Sequence, residues 1–139
     1  MKRVARNGCI VLLVLFCAGC GTGKVLDKAD VAVANFHSQL NAGNFQQIYA
    51  DSDDSFKSAT SQEKFVAILE AVHRKLGLAQ STDRKSFFVN LGTAGGRVDA
   101  NYSTRFDSDT AQEHFVFRTA GDGVRLVGYH INSDVLITQ

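Results

Sequence analysis

The chain predicts an α+β domain in which N-terminal helices pack on an antiparallel sheet of about four strands. Two observations carry this. Apolar residues recur at three- and four-residue steps up to Gly77, and from there to the C-terminus they alternate. Helices therefore precede strands, and runs of helices followed by runs of strands define the α+β class.

From Lys28 to Asn41 the residues Val33, Phe36 and Leu40, with Ala29 and Ala32 beside them, form the apolar stripe of a first helix ending near Gly43. Asn44 is placed to cap a short second helix that buries Phe45, Ile48 and Tyr49, and the acidic stretch Asp51-Ser-Asp-Asp54 breaks it. Thr60-Ser-Gln-Glu63 has capping-box spacing and opens a third helix, with Phe65, Ile68, Leu69, Val72 and Leu76 on one stripe and Gly77 as its stop. Glu70 and Arg74 stand four apart on its outer face. In the strand half, Phe87, Val89 and Leu91 alternate, then Val98, Ala100, Tyr102, Thr104 and Phe106, with Gly92 to Gly96 as the turn between. Asp107-Ser-Asp-Thr110 turns the chain again, and Phe115 and Phe117 mark one face of a third strand. Gly121-Asp-Gly123 is a hairpin signal, after which Val127, Tyr129 and Ile131 fall on one side of the last strand and Leu126 on the other.

The first twenty residues read as an export signal. Lys2, Arg3 and Arg6 precede an apolar run from Cys9 to Ala18, too short to span a bilayer, which takes about 20 residues. The run stops at Gly19-Cys20, the junction at which a bacterial lipoprotein is cut and its cysteine thiol takes a diacylglycerol with palmitate-type chains. Ala18 and Gly19 fit that lipobox, although the position that usually holds leucine holds Cys17. The other reading is ordinary cleavage near Gly19, which leaves Cys20 as a plain thiol. Cys9, Cys17 and Cys20 are the three cysteines, so the exported part keeps one at most and no internal disulfide forms. The expected organisation is a signal peptide over 1–19, a short tether over 20–26 and a single domain over 27–139.

Three of the 15 basic residues lie in the leader, so 12 remain against 14 acidic ones and the mature net charge is −2. Such a balance supplies no field for nucleic acid. Ten phenylalanines and an apolar content of 45% describe a globular domain with a phenylalanine-rich core.

Ala42-Gly-Asn-Phe45 after the first helix, Arg74-Lys-Leu-Gly77 closing the third, and Val127-Gly-Tyr-His-Ile-Asn-Ser133 in the last strand carry a family resemblance. In this order they resemble small bacterial lipoproteins of a domain-of-unknown-function family with the cystatin-like, nuclear-transport-factor-two-like fold. Arg84 fits the arginine that accompanies the Leu-Gly stop in that family. The resemblance implies a curved sheet wrapped around helices, often dimeric, and implies no reaction, because that fold hosts enzymes, carriers and scaffolds alike.

Candidate chemistry is sparse. The four histidines His37, His73, His114 and His130 lack metal-ligand spacing, so neither a metal nor another cofactor is expected. His37 and His73 follow apolar-stripe positions and read as half-buried edge residues, while pairing of the third and fourth strands brings His114 toward His130. An acid/base site of this fold needs an aspartate or histidine base and a tyrosine donor in one cavity, for which Asp99, Tyr102, His114 and His130 are the analogues. Asp99 alternates away from the Val98, Ala100 and Tyr102 face. A cavity lined by Phe36, Tyr49, Phe65, Tyr102, His114 and Phe115 is the place for a small apolar ligand, with core packing as the plainer role of each ring. Gly92 to Gly96 lacks the lysine of a phosphate loop, and no Gly-x-Ser-x-Gly elbow occurs.

Phe87 and Phe88 are adjacent on one strand and point to opposite faces, so one of them needs cover from a second copy or a partner. Arg105 and Arg125 share the solvent face of the sheet and, with Phe88, form the candidate interface. The expected protein is an uncharacterised cell-envelope lipoprotein of Gram-negative type, held to the membrane by its N-terminal lipid. It acts as a non-catalytic binding or interaction module, with a homodimer or an envelope protein as partner. The alternative is a small-molecule binder or acid/base enzyme using the cavity. Gly21 after the cysteine, in place of aspartate, points to the periplasmic face of the outer membrane.

Overall fold

A computed structural model describes residues 20–138. The expected signal peptide over 1–19 lies outside the described residues. The elements are α1 (Cys20–Asn41), α2 (Phe45–Ala50), α3 (Asp54–Ala59), α4 (Gln62–Leu76), β1 (Ala79–Gly92), β2 (Gly95–Phe106), β3 (Thr110–Ala120), β4 (Gly123–Asn132) and α5 (Asp134–Ile137). The strands form one antiparallel curved sheet in the order β1-β2-β3-β4, so the α+β fold is that of a meander with helices ahead of it. Among the described residues no helix is long and apolar enough to cross a membrane.

α1 starts earlier than its sequence pattern suggests. Gly21 and Gly23 disfavour helix, yet burial of Leu26 and Ala29 continues the Val33, Phe36, Leu40 stripe backwards and carries the helix to Cys20. The expected tether over 20–26 is therefore helical. At its other end the Asn44 N–H donates to the Gln39 carbonyl and the Gly43 N–H to that of Leu40, with Gly43 at φ 75°, a Schellman ending. Asn41 then grips the first residue of the sheet in both directions, its side chain donating to the Ala79 carbonyl at 3.0 Å and accepting from the Ala79 N–H at 2.9 Å.

The acidic break contains more order than expected: Asp53 accepts from the Ser55 N–H at 2.9 Å and caps α3. The cap of α4 is Ser61, one residue beyond the expected Thr60, and its hydroxyl accepts from the Lys64 N–H at 3.3 Å. Phe65, Leu69, Val72 and Leu76 are buried as the stripe requires, while Ile68 stands at its exposed margin.

On the helix-facing side of the sheet lie Val98, Ala100, Tyr102, Thr104 and Phe106 of β2 and Ala111, Glu113, Phe115 and Phe117 of β3, all buried. β4 departs from simple alternation. Val116 pairs with Gly128 but Phe117 pairs with Leu126, so Val127 is the extra residue of a bulge. Leu126 consequently joins Tyr129 and Ile131 on the packed side, in place of its expected opposite face. β1 begins at Ala79, well before Phe87, and bulges twice, between Ala79 and Ser81 and between Arg84 and Ser86.

The corner between α4 and β1 is locked. Gly77 adopts φ 79°, ψ −148°, a region that is essentially glycine-only and costs another residue about 1–3 kcal/mol. A Cβ there would stand 2.8 Å from the Asp107 Cβ, and Asp107 is itself held by the Leu78 N–H and the Gln80 amide, each donating at 2.7 Å. Gly77→Ala is expected to destabilise by more than that conformational penalty, whereas Gly43→Ala, at φ 75° but with nothing within 4 Å of its Cβ, is expected to cost only about 1 kcal/mol. Urea denaturation of the two variants reads the difference.

Candidate functional site

Alternation on β3 places Glu113 between Ala111 and Phe115 on the packed face, where its side chain has 0% exposure. Such burial is tolerable only with complete hydrogen bonding, and both carboxylate oxygens are engaged. His37 Nε2 lies 2.7 Å from Oε2, the Thr104 hydroxyl donates to Oε2 at 2.6 Å, and the Tyr129 hydroxyl donates to Oε1 at 2.7 Å. The other His37 nitrogen, Nδ1, lies 3.2 Å from the Thr82 hydroxyl, which is 3.0 Å from that of Thr104. Desolvation, followed by the Glu113 charge, pushes the Tyr129 phenol well above its ordinary value, so it stays a proton donor.

Above this cluster, between α1 and β1, runs a groove of about 500 Å³ lined in part by Asp30, His37, Thr82, Arg84 and Tyr102. The Tyr102 hydroxyl donates to Asp30 Oδ1 at 2.8 Å, and Arg84 pairs with Oδ2 of the same carboxylate. Burial first, then the Asp30 carboxylate, raises the Tyr102 phenol. The Arg84 guanidinium also lies 5.4 Å from the centre of the Phe87 ring.

The rings named for a ligand cavity do not line one space together: Tyr102 lines the groove between α1 and β1, Phe65 a hollow shared with Tyr129, and Phe36 one shared with Phe117 and Leu126. Phe36, Phe65, Tyr102 and Phe115 are buried in the core, with Phe36 5.0 Å from Phe115 and 4.8 Å from Tyr129, and Tyr102 5.6 Å from Phe115. Tyr49 donates to the carbonyls of Lys57 and Thr60, tying α2 to the segment that carries α3. His114 belongs to the opposite face, because it alternates with Glu113 and Phe115. It pairs across strands with His130, and its Nε2 lies 3.5 Å from Asp99. The Arg97 guanidinium holds the Asp99 carboxyl below its ordinary value, against the opposing effect of burial. His37, read as an edge residue, is buried, and Glu113 escaped the sequence reading altogether although its position between two apolar alternates was the signal.

The outer face also carries Phe88, 64% exposed. Phe87 faces the helix side yet is 51% exposed, since the far half of β1 overhangs the helices; both rings lack cover, not one. Arg105 and Arg125 alternate onto the outer face but lie at opposite ends of it. The arginines that stand side by side are Arg97, Arg118 and Arg125, paired across β2, β3 and β4.

Together these features define a class: a helix-backed antiparallel meander with an aromatic core, an internally satisfied carboxylate and an open, polar outer face. Compared with protein-family models the chain matches none, and no curated protein is similar enough to assign it a family.

Removing one member of this buried cluster leaves its hydrogen-bond partners unsatisfied, at about 1–3 kcal/mol and more for a charged group. Glu113→Ala is expected to lose that much in urea denaturation, while the apolar pair Glu113→Met with His37→Phe loses less than the two single changes combined; strict additivity would contradict the coupling. A second outcome concerns pH. Tyr129 and Tyr102 hold their protons in the folded state above about pH 10, where the unfolded chain releases them. Their stabilisation is thus complete below that pH and is lost as pH rises through the folded-state values. Melting temperature against pH should show an alkaline decline that Tyr129→Phe and Tyr102→Phe flatten.

Proposed function

We propose that this protein is a lipid-anchored cell-envelope lipoprotein, on the periplasmic face of an outer membrane, that works as a non-catalytic interaction module through the outer face of its sheet. The observation that carries this reading is the state of the interior. Every polar atom of the Glu113 cluster bonds within the protein, both His37 nitrogens are engaged, and the rings pack on one another, so no base or donor of that cluster is left unpaired. An acid/base enzyme needs the opposite arrangement.

The outer face has what docking requires. Phe88 supplies an exposed aromatic anchor beside Asp99, and Asn101, His114 and Arg118, with Arg105 farther along β2, supply polar specificity on the same face. The lipid anchor rests on the Ala18-Gly19-Cys20 junction and the basic and apolar runs before it. A homodimer or a second envelope protein is the partner, and the likeness to domain-of-unknown-function lipoproteins of the cystatin-like fold agrees with either.

Cys20→Ser is expected to move the protein from the membrane to the soluble envelope fraction and to remove the diacylglyceryl mass from its N-terminus. In the same cells Phe88→Ser is expected to abolish its chemical crosslinking to a partner while leaving its melting temperature unchanged. Unaltered crosslinking would remove the outer face from the proposal.

A further inference from the structure

At one end of the domain an apolar, uncharged stretch of β1 lies beside the start of α1. α1 runs along β1 in the opposite direction, from Gly21 beside Leu91, through Asp30 at Arg84, to Asn41 at Ala79. The start of α1 and the β1–β2 hairpin therefore share an end. A Cβ on Gly21 would stand 3.7 Å from Leu91 Cδ1, and Gly21 directly follows Cys20. Leu91 and Phe87, both on the helix side of β1, are 52% and 51% exposed there. No charged residue occurs from Ser86 to Gly96 or from Cys20 to Gly23. Edge strands of soluble domains are normally blunted by charge. β1 follows that rule in its first half, with Asp83, Arg84 and Lys85, and abandons it in the half nearest Cys20.

The opposite sheet face at this same end carries Arg97, Arg118 and Arg125 side by side, each two residues from a hairpin turn at Gly95, Ala120 or Gly123. Like charges in adjacent cross-strand positions repel. Asp99 and Asp53 offset the first two, and Lys24, Asp27, Lys28 and Asp122 complete the charges around this end.

We propose that this end is a second membrane contact: Leu91 and the β1–β2 turn rest at the boundary between headgroups and acyl chains of the bilayer that holds the Cys20 lipid, with Phe87, about 13 Å farther along β1, and the arginine row at headgroup level. The proposal depends on the lipid anchor proposed above. Because α1 begins at Cys20 without a flexible spacer, the anchor fixes which end of the domain meets the bilayer as well as its distance. The contact is shallow, since the open edge of β1 cannot leave its backbone groups unsatisfied in hydrocarbon. Its result is a fixed orientation, with the Asp107 end of the sheet directed away from the membrane.

The chain contains no tryptophan, so one introduced at a time reports its own surroundings. The full chain, processed by its host, is purified in detergent, weighed by mass spectrometry for the diacylglyceryl group, and reconstituted into phosphatidylethanolamine–phosphatidylglycerol vesicles with or without brominated acyl chains. In lipidated protein Leu91→Trp is expected to emit at shorter wavelength and to lose most of its emission to bromine, and Phe87→Trp, higher above the acyl chains, to lose less of it. Ser108→Trp, on the exposed turn at the far end, is expected to show neither change. Lipidated Leu91→Trp protein whose indole escapes bromine overturns the contact and leaves the anchor standing. Emission from that indole that is blue-shifted but unquenched also overturns it, because a second copy or a retained leader then covers the patch. Absence of the diacylglyceryl mass overturns the anchor, and the contact with it.

Discussion

A carboxylate with no solvent exposure is the constraint around which this domain is built. Glu113 of β3 is bonded to His37 of α1, Thr104 of β2 and Tyr129 of β4, and Thr82 of β1 closes the circuit through His37 and Thr104. The longest helix and all four strands thus each contribute one member. Any slip of register by one residue would turn a member to the outer face and leave a charge buried alone, a penalty far larger than that of a misplaced methyl group. The cluster therefore specifies one arrangement of helix on sheet, where apolar packing by itself would tolerate several.

The same arrangement determines what the interior is able to do. Phe36, Phe65, Phe115 and Tyr129 pack edge-to-face or tilted around the cluster. Within the Glu113 cluster each donor and acceptor is already committed to another member. The surfaces that no element covers are the outer sheet face and the overhanging half of β1.

Those two surfaces differ in character. The outer face is polar, with Asp99 set between Arg97 and His114 and Phe88 projecting beside it. The overhang is apolar and uncharged and adjoins the first turn of α1. At the other end the chain is locked by Gly77 and Asp107, where a helix stop, a strand start and the β2–β3 turn share backbone and side-chain bonds. A rigid far end and an apolar near end make a body with a defined direction along α1.

Local chemistry settled the order of helices and strands, the glycine stops at Gly43 and Gly77, the turns at Gly92–Gly96 and Gly121–Gly123, and the packed faces of β2 and β3, because each depends on periodicity or on a backbone conformation that few residues adopt. Helix length before Lys28, the bulges of β1 and β4 and the side taken by Leu126 depended on burial against distant residues, which overrides the weak propensity of Gly21 and Gly23 and breaks strict alternation. The candidate site was the least legible part. Glu113 could be placed inward by its neighbours Ala111 and Phe115, but its partners lie at separations such as 76 residues for His37. Only the tertiary structure brings them together, because a hydrogen-bond cluster of groups from five elements has no period in the chain.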